Sequence, residues 1–327
     1  AHETPPNMDK ELVTRWLRKQ CSYESVNYIF HNAFYDVGWL TTMDIDIKGK
    51  IIDTLIAAPI VDENRFRFDL NSLAKDYLQE SKSETQLREA AKMWGLDPKA
   101  DLWKLPASHV GTYAEQDAAV TLRLWHHLKK EITAQNLVNI FALETDLFPV
   151  LFEMKRKGVR INLDKAEVIK NDLHKQEKQL LQSIKKLSGT SVEIWAATSV
   201  AKAFDALQIP YNHTETGKPS FDKNFLSSHD SPLAQMVVKA REINKARTTF
   251  IDSILKHSHR GRIHAEIHQM RSDQGGTVTG RFSYSNPNLQ QIPARNQIIG
   301  PLIRSLFIPE KNCKWGIFDY SQQEPRL

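Results

Sequence analysis

The chain has 327 residues, 41% of them hydrophobic and 25% charged, which suits a soluble globular protein with room for two domains. No apolar run approaches the roughly 18 residues of a membrane span, and Cys21 and Cys313 stand single and far apart, which excludes a disulfide framework or a zinc ribbon. The net charge of +5 is local: residues 239–281 hold nine Lys/Arg against four Asp/Glu, a balance suited to a phosphate backbone.

The opening AHETPPNMDK lacks a basic-then-apolar signal pattern, so a cytoplasmic protein is expected. Asp9-Lys10-Glu11 opens the helical run LVTRWL, with Asp9 as its N-cap. Residues 26–32 (VNYIFHN) read as a short buried strand, with Asp36 just beyond it and able to face a cleft. A second apolar element begins at IIDTLIAAPI, and FDLNSLAKDYL and YAEQDAAVTLRLWHHLKKEI have helical spacing. Strands alternating with helices imply an α/β layer structure. Tyr113 and Asp117 lie four apart, on one helix face. That geometry allows a carboxylate on a metal beside a phenol holding water, although Asp117 taken alone reads better as an ordinary surface aspartate.

From about Glu131 the pattern becomes helical, with Ile169, Leu173, Leu180, Ile184 and Leu187 forming an apolar stripe. Residues 213–220 form a turn, with Gly217 at positive φ and Pro219 stopping pairing. RIHAEIHQM alternates like a strand until Gly275-Gly276 interrupts it; within it His264 and His268 lack a third ligand at metal spacing. Residues 279–293 are irregular and polar, with Arg, Asn and Gln suited to a minor groove. Residues 315–318 (WGIF) read as a buried strand that delivers Asp319, with Glu324 and Arg326 shortly after it.

Taken as whole strings, these segments carry a resemblance. HNAFYDVGWL and YAEQDAAVTLRLW resemble the second and third motifs of the proofreading 3′–5′ exonuclease domain of family A DNA polymerases. TGRFSYSNPNLQQIP resembles that family's TGRLSSSNPNLQNIP, and FDYSQQEPRL resembles its motif A, DYSQIELR. REINKARTTFIDSILK is similar to the thumb segment that grips duplex backbone, and ETDLFPVLFEMKRKGVRIN to the stretch that opens the polymerase domain. Gln291, Gln323 and Pro325 depart from the usual spelling, the last two in a manner associated with phage enzymes.

The resemblance implies a ribonuclease H-like α/β exonuclease domain over residues 1–135, then a mainly helical thumb and the beginning of an antiparallel palm sheet over 136–327. It implies Asp36 and Asp117 as metal ligands, Tyr113 as the residue that orients the attacking water, and Asn32 at the substrate end. In the polymerase part it implies Asp319 and the Tyr320 carbonyl as Mg²⁺ ligands and Glu324 as the steric gate against a ribose 2′-OH. Arg281, Asn288 and Gln290 would approach primer–template, and Lys245 and Arg247 the duplex backbone. Two Mg²⁺ ions per active site, primer–template DNA and dNTPs are the implied cofactors and partners. A monomer is expected, with no thumb insertion for a processivity factor, in the host cytoplasm if phage-encoded. The family's Asp-x-Glu strand is not in place, and AHETPPN resembles a strand downstream of it. The first exonuclease strands, the fingers and the second palm aspartate are therefore expected outside this chain, leaving it an inactive internal piece. Two rival readings are a stand-alone four-carboxylate exonuclease with a nucleic-acid-binding helical extension and a non-catalytic DNA-binding piece.

Overall fold

Side-chain caps set many of the helix starts. Asp9, Asp53, Asp69, Asn162, Asp222 and Ser231 each place an oxygen on a first-turn amide, satisfying a donor that the helix itself cannot. The computed structural model describes residues 7–80, 84–294 and 296–326, so the strand reading of residues 1–6 lies outside the described residues. Two packed units divide the chain: Ala1–Arg156 with Ile267–Ser285, and Lys157–Glu266 with Asn286–Leu327. No helix among the described residues is long and apolar enough to cross a membrane.

The first unit runs α1 (Lys10–Cys21), β1 (Asn27–Phe30), α2 (Ala33–Thr42), β2 (Lys50–Asp53), α3 (Thr54–Val61), α4 (Leu70–Leu73), α5 (Thr85–Met93), α6 (Ala107–Ala134) and α7 (Val138–Lys157). A π-helical turn, Ala74–Leu78, continues α4. β1 and β2 pair in parallel with Phe30 opposite Asp53, so both strands end at the same level. Gly49 makes this pairing possible, since a Cβ there would sit 2.0 Å from the Val26 carbonyl oxygen. Strand β1 is shorter than the expected 26–32 and only partly buried, because among the described residues it pairs with β2 alone and Asn32 turns the chain into α2. Ile52, Phe68, Leu73, Leu124, Leu128 and Phe141 form one core; Ala33, Val37, Ile56 and Phe148 form another beneath α2. Phe141 and Phe148 belong to α7, so by packing the first unit extends past residue 135.

The second unit begins with β3 (Val159–Ile161) and α8 (Leu163–Ser188), then α9 (Ala197–Ala206), β4 (Asn212–His213), β5 (Pro219–Ser220), α10 (Lys223–Ser228), α11 (Pro232–Lys245), α12 (Asp252–His257), β6 (Ser258–His259) and β7 (Arg262–Ile263). Next in chain order, β8 (Glu266–His268) and β9 (Ser283–Ser285) form a two-stranded sheet whose stretch from Ile267 to Ser285 belongs to the first unit; the second unit resumes with α13 (Ile299–Arg304), β10 (Phe307–Ile308) and α14 (Gln323–Arg326). β3 lies inside an antiparallel sheet of order β10-β3-β7-β6. Of the expected apolar stripe, Ile169, Leu173 and Ile184 are buried on α8 and Leu180 is half-buried, while Leu187 is 43% exposed; α8 packs on α11 around Ile184, Val200, Phe204, Leu233 and Val237. A second π-helical turn, Ala246–Ile251, joins α11 to α12. The turn at 213–220 is the β4–β5 hairpin, with Gly217 at φ 75°.

One expectation fails here. Residues 315–318 are neither a strand nor buried: Ile317 is 90% exposed and Phe318 95%. A strand needs a neighbour for its backbone donors and a layer to cover its apolar face. No described strand pairs with this segment.

Candidate active site

The parallel pair β1–β2 has two loose ends at one level, and the first unit builds a cleft there. In α/β sheets ligands lodge at the carboxyl ends of strands, where loops and helix starts converge. The cleft measures about 1160 Å³, and its walls include His31 and Asp36 after β1, Arg67 and Asp69 before α4, Arg88 on α5, and Tyr113 and Asp117 on α6. Three of the residues singled out in the sequence, Asp36, Tyr113 and Asp117, thus line one cavity. Asp36 lies in the first turn of α2 rather than in a loop. Asn32, the N-cap of that helix, sits beside the wall residue His31 with left-handed backbone, φ 73°.

The chemistry of the cavity follows from burial. Removal from water pushes the Asp36 carboxyl above its usual range, partly offset by a hydrogen bond from its own backbone amide. Tyr113 is pushed up to about 12, first by burial, then by the Asp117 charge and a hydrogen bond to Asp117. That phenol stays protonated at any working pH, a donor to carboxylate and a partner for water. Two hard carboxylates from separate helices on one cavity suit Mg²⁺, which is commonly held by one or two carboxylates and completes its shell with water and phosphate oxygens. Among the described residues no group of three or more His, Cys, Asp or Glu gathers for a metal.

Two groups of residues, one lining the cleft and one behind it, escaped the sequence reading. Arg67, Arg88 and Lys99 bring cations into the cleft lining, Arg67 paired with Asp69 at 3.2 Å and Arg88 with Glu84 at 2.7 Å, both acids of the same lining. Asp53 is the other, fully buried and holding three backbone amides: Asn32 at 2.8 Å, Ala33 at 2.7 Å and Leu55 at 2.8 Å. Burial pushes its carboxyl up to about 6 against the pull of those donors. An aspartate directly before an apolar helical run is an N-cap signal, which marks the Leu55 contact but neither of the other two.

The remaining candidates are dispersed. Arg281 is exposed, in a turn that Thr277 closes by bonding the Arg281 carbonyl at 2.7 Å. Asn288 caps a 3₁₀ turn, accepting from Gln290 at 3.1 Å, while the Gln290 side chain faces outward. Lys245 is exposed at the end of α11. Arg247 points inward, its guanidinium 3.0 Å from buried Glu177 and 3.6 Å from Asp252. The basic stretch is therefore less free than its composition suggests. Arg241 and Arg262 are likewise bonded to backbone or Glu310 within their unit. Asp319 and Tyr320 are exposed on the irregular segment, and Glu324 lies in the first turn of the short α14.

Known proteins carry the same sequence order. The family model for DNA polymerase family A matches residues 163–327, and a 3′-5′ exonuclease model matches residues 5–133. A DNA-directed DNA polymerase of Pseudomonas phage M6 is 34% identical over all of this chain and 51% of its own length. DNA polymerase DpoZ of Vibrio phage phiVC8 is 30% identical over 96% of this chain and 54% of its own. DNA polymerase I of Pseudomonas aeruginosa is 28% identical over 99% and 36%. The polymerase domain of Pol1 from M. smegmatis, solved with DNA primer-template and dNTP, aligns with TM-score 0.70 and 22% identity over 94% of this chain and 48% of that one, a likeness of fold. The chain spans about half the length of the phage relatives it matches. With an exonuclease domain ahead of a polymerase region, the chain belongs to DNA polymerase family A.

Proposed function

We propose that this chain contributes a 3′–5′ excision site and part of a DNA-synthesis site to a polymerase that uses primer–template DNA and dNTPs. The observation that carries the excision half is the convergence of Asp36, Tyr113 and Asp117 on one cleft at the ends of two parallel strands. On this reading the first unit is the ribonuclease H-like domain. Asp36 and Asp117 would hold Mg²⁺, which when bound supplies a nucleophilic water at neutral pH and stabilises the leaving oxygen. Tyr113, held protonated, keeps water in line beside Asp117, and Asn32 holds the terminal nucleotide. Lys99 attracts the strand's phosphates from the cleft wall.

The synthesis half rests on the family spelling. Asp319 and the Tyr320 carbonyl would hold two Mg²⁺ ions, Glu324 excludes the 2′-OH, and Arg281, Asn288 and Gln290 approach the duplex. Lys245 contacts its backbone. The enzyme would act as a monomer in the cytoplasm.

Excision ligands in the first unit and Asp319 in the second predict separable activities. In the full-length protein, Asp36→Ala or Asp117→Ala is expected to lower excision of a 3′ end on the order of a thousandfold, the effect of about 4 kcal/mol of lost transition-state stabilisation. Extension of a matched primer should stay within twofold. Paired excision and extension assays check this, and parallel loss of both activities would refute two independent sites.

A further inference from the structure

Asp53 is absent from the cleft wall, yet it holds the helix that is there. Its Oδ1 accepts from the Asn32 and Leu55 amides and its Oδ2 from the Ala33 amide. Asn32 is the N-cap of α2, but its side chain makes no capping bond. At an ordinary helix start the N-cap side chain itself folds back onto a first-turn amide. Here a carboxylate at the end of β2 does this from outside the helix. The arrangement also holds Asn32 in its left-handed conformation, a state that persists in a non-glycine residue only where surroundings dictate it. Next to it the Thr54 hydroxyl donates to the Phe30 carbonyl at 3.0 Å and lies 2.9 Å from His31 Nδ1. By contrast Asp9 and Asp222 cap only the helices they precede, each through an amide three residues on.

We infer that Asp53 is a positioning residue of the excision site: by capping α2 from β2 it releases the Asn32 side chain for substrate and fixes the first helical turn that carries Asp36. The inference rests on the exonuclease reading. It distinguishes Asp53 from a structural cap because the groups it orients, Asn32 and Asp36, are those assigned to substrate and metal.

The test uses the full-length protein. Asp53→Asn keeps the volume but sets an amide NH₂ against a backbone donor. Partners one layer behind a metal ligand typically alter affinity or activity by about ten- to a hundredfold. Excision kcat should fall by that factor while primer extension stays unchanged. In an Asp319→Ala background, Mn²⁺ binding followed by electron paramagnetic resonance should weaken about tenfold. Combined with Asn32→Ala, the loss should be less than the product of the two single losses, since both act through one group. Parental excision and Mn²⁺ affinity in Asp53→Asn would overturn the inference, as would fully multiplicative losses. If Asp53→Asn loses extension too, Asp53→Glu, which displaces both acceptors by one methylene, takes its place. Impaired excision with intact extension supports the role, and unchanged excision overturns it. Asp36→Ala is the control for the underlying reading, because excision surviving that change would remove the exonuclease site itself.

Discussion

Asp36 and Asp319 both follow short apolar runs, and both are proposed here as metal ligands, yet their surroundings differ in kind. Asp36 stands on a helix whose start is capped by Asp53, whose underside packs on Phe148, and whose neighbour across the cleft is the α6 face bearing Tyr113 and Asp117. Asp319 stands on an exposed, irregular segment between β10 and α14. The difference teaches that an acidic residue becomes a preorganised ligand through the elements behind it. A strand, a cap and a packed helix position the one; the other has a spelling and no described layer beneath it.

Substitutions can break or sharpen that contrast. The largest effect belongs to Asp319→Ala in the full-length enzyme, expected to stop dNTP incorporation while leaving excision intact. Glu324→Ala should keep synthesis but raise rNTP relative to dNTP use by roughly ten- to a hundredfold, because the discrimination is a clash that disappears with the side chain. Steady-state kcat/KM for matched rNTP and dNTP pairs measures both. Full activity in Asp319→Ala would disprove the motif A assignment.

Two neighbouring cations of the second unit make a similar pair. Arg247→Ala strands Glu177, which is 10% exposed and otherwise bonded to Asn244 at 2.6 Å. It is expected to destabilise the protein by about 3 kcal/mol, with a lower urea midpoint as the readout. Lys245→Ala should leave stability unchanged and reduce the salt slope of duplex binding by about 1. A salt slope that follows Arg247 rather than Lys245 would mean the inward guanidinium reaches DNA after all.

In the cleft, Tyr113→Phe removes one hydrogen bond to a charged group, a change of about 1.5 to 3 kcal/mol, or roughly ten- to a hundredfold in excision. A pre-steady-state assay on single-stranded substrate would show it, and an unaltered rate would remove Tyr113 from the chemistry. The smallest effect concerns pH. Asp53 is pushed from 3.8 to about 6, so between those values the folded protein binds a proton that the unfolded chain releases. Its contribution therefore makes stability decline as pH rises from about 4 to about 6, by no more than about 1.4 kcal/mol per pH unit. Asp36, also raised and facing the same helix start, adds in the same direction. Asp53→Asn should flatten the slope of unfolding free energy against pH in that window, whatever it does to its height.

What was legible in the sequence was periodic or local. The stripe of α8, the Tyr113–Asp117 spacing, the Asp9 cap and the Gly217 turn depend on residues within a few positions of one another. The Asp53 contacts to Asn32 and Ala33 span 21 and 20 positions, and no period announces them. The inward pairing of Arg247 was illegible for the same reason, since Glu177 lies 70 residues earlier. The run at 315–318 shows a further limit: apolarity proposes a strand, but only a neighbouring strand makes one. Motif spelling brought Asp36 to attention, and the fold then placed it inside a helix because Asn32 turns the chain directly after β1.

The π-helical turn at Ala246–Ile251 has a consequence for how relatives are compared. Such a turn is an α-helix that has accepted one additional residue without losing its axis. In alignment terms it is an insertion hidden inside regular secondary structure, where gaps are usually forbidden. A relative without it would run one residue shorter between α11 and α12 while presenting the same faces on either side. Alignments that refuse a gap there would slip by one position, turning each compared side chain by about 100° around the helix and pairing Arg247 with a residue that never meets Glu177.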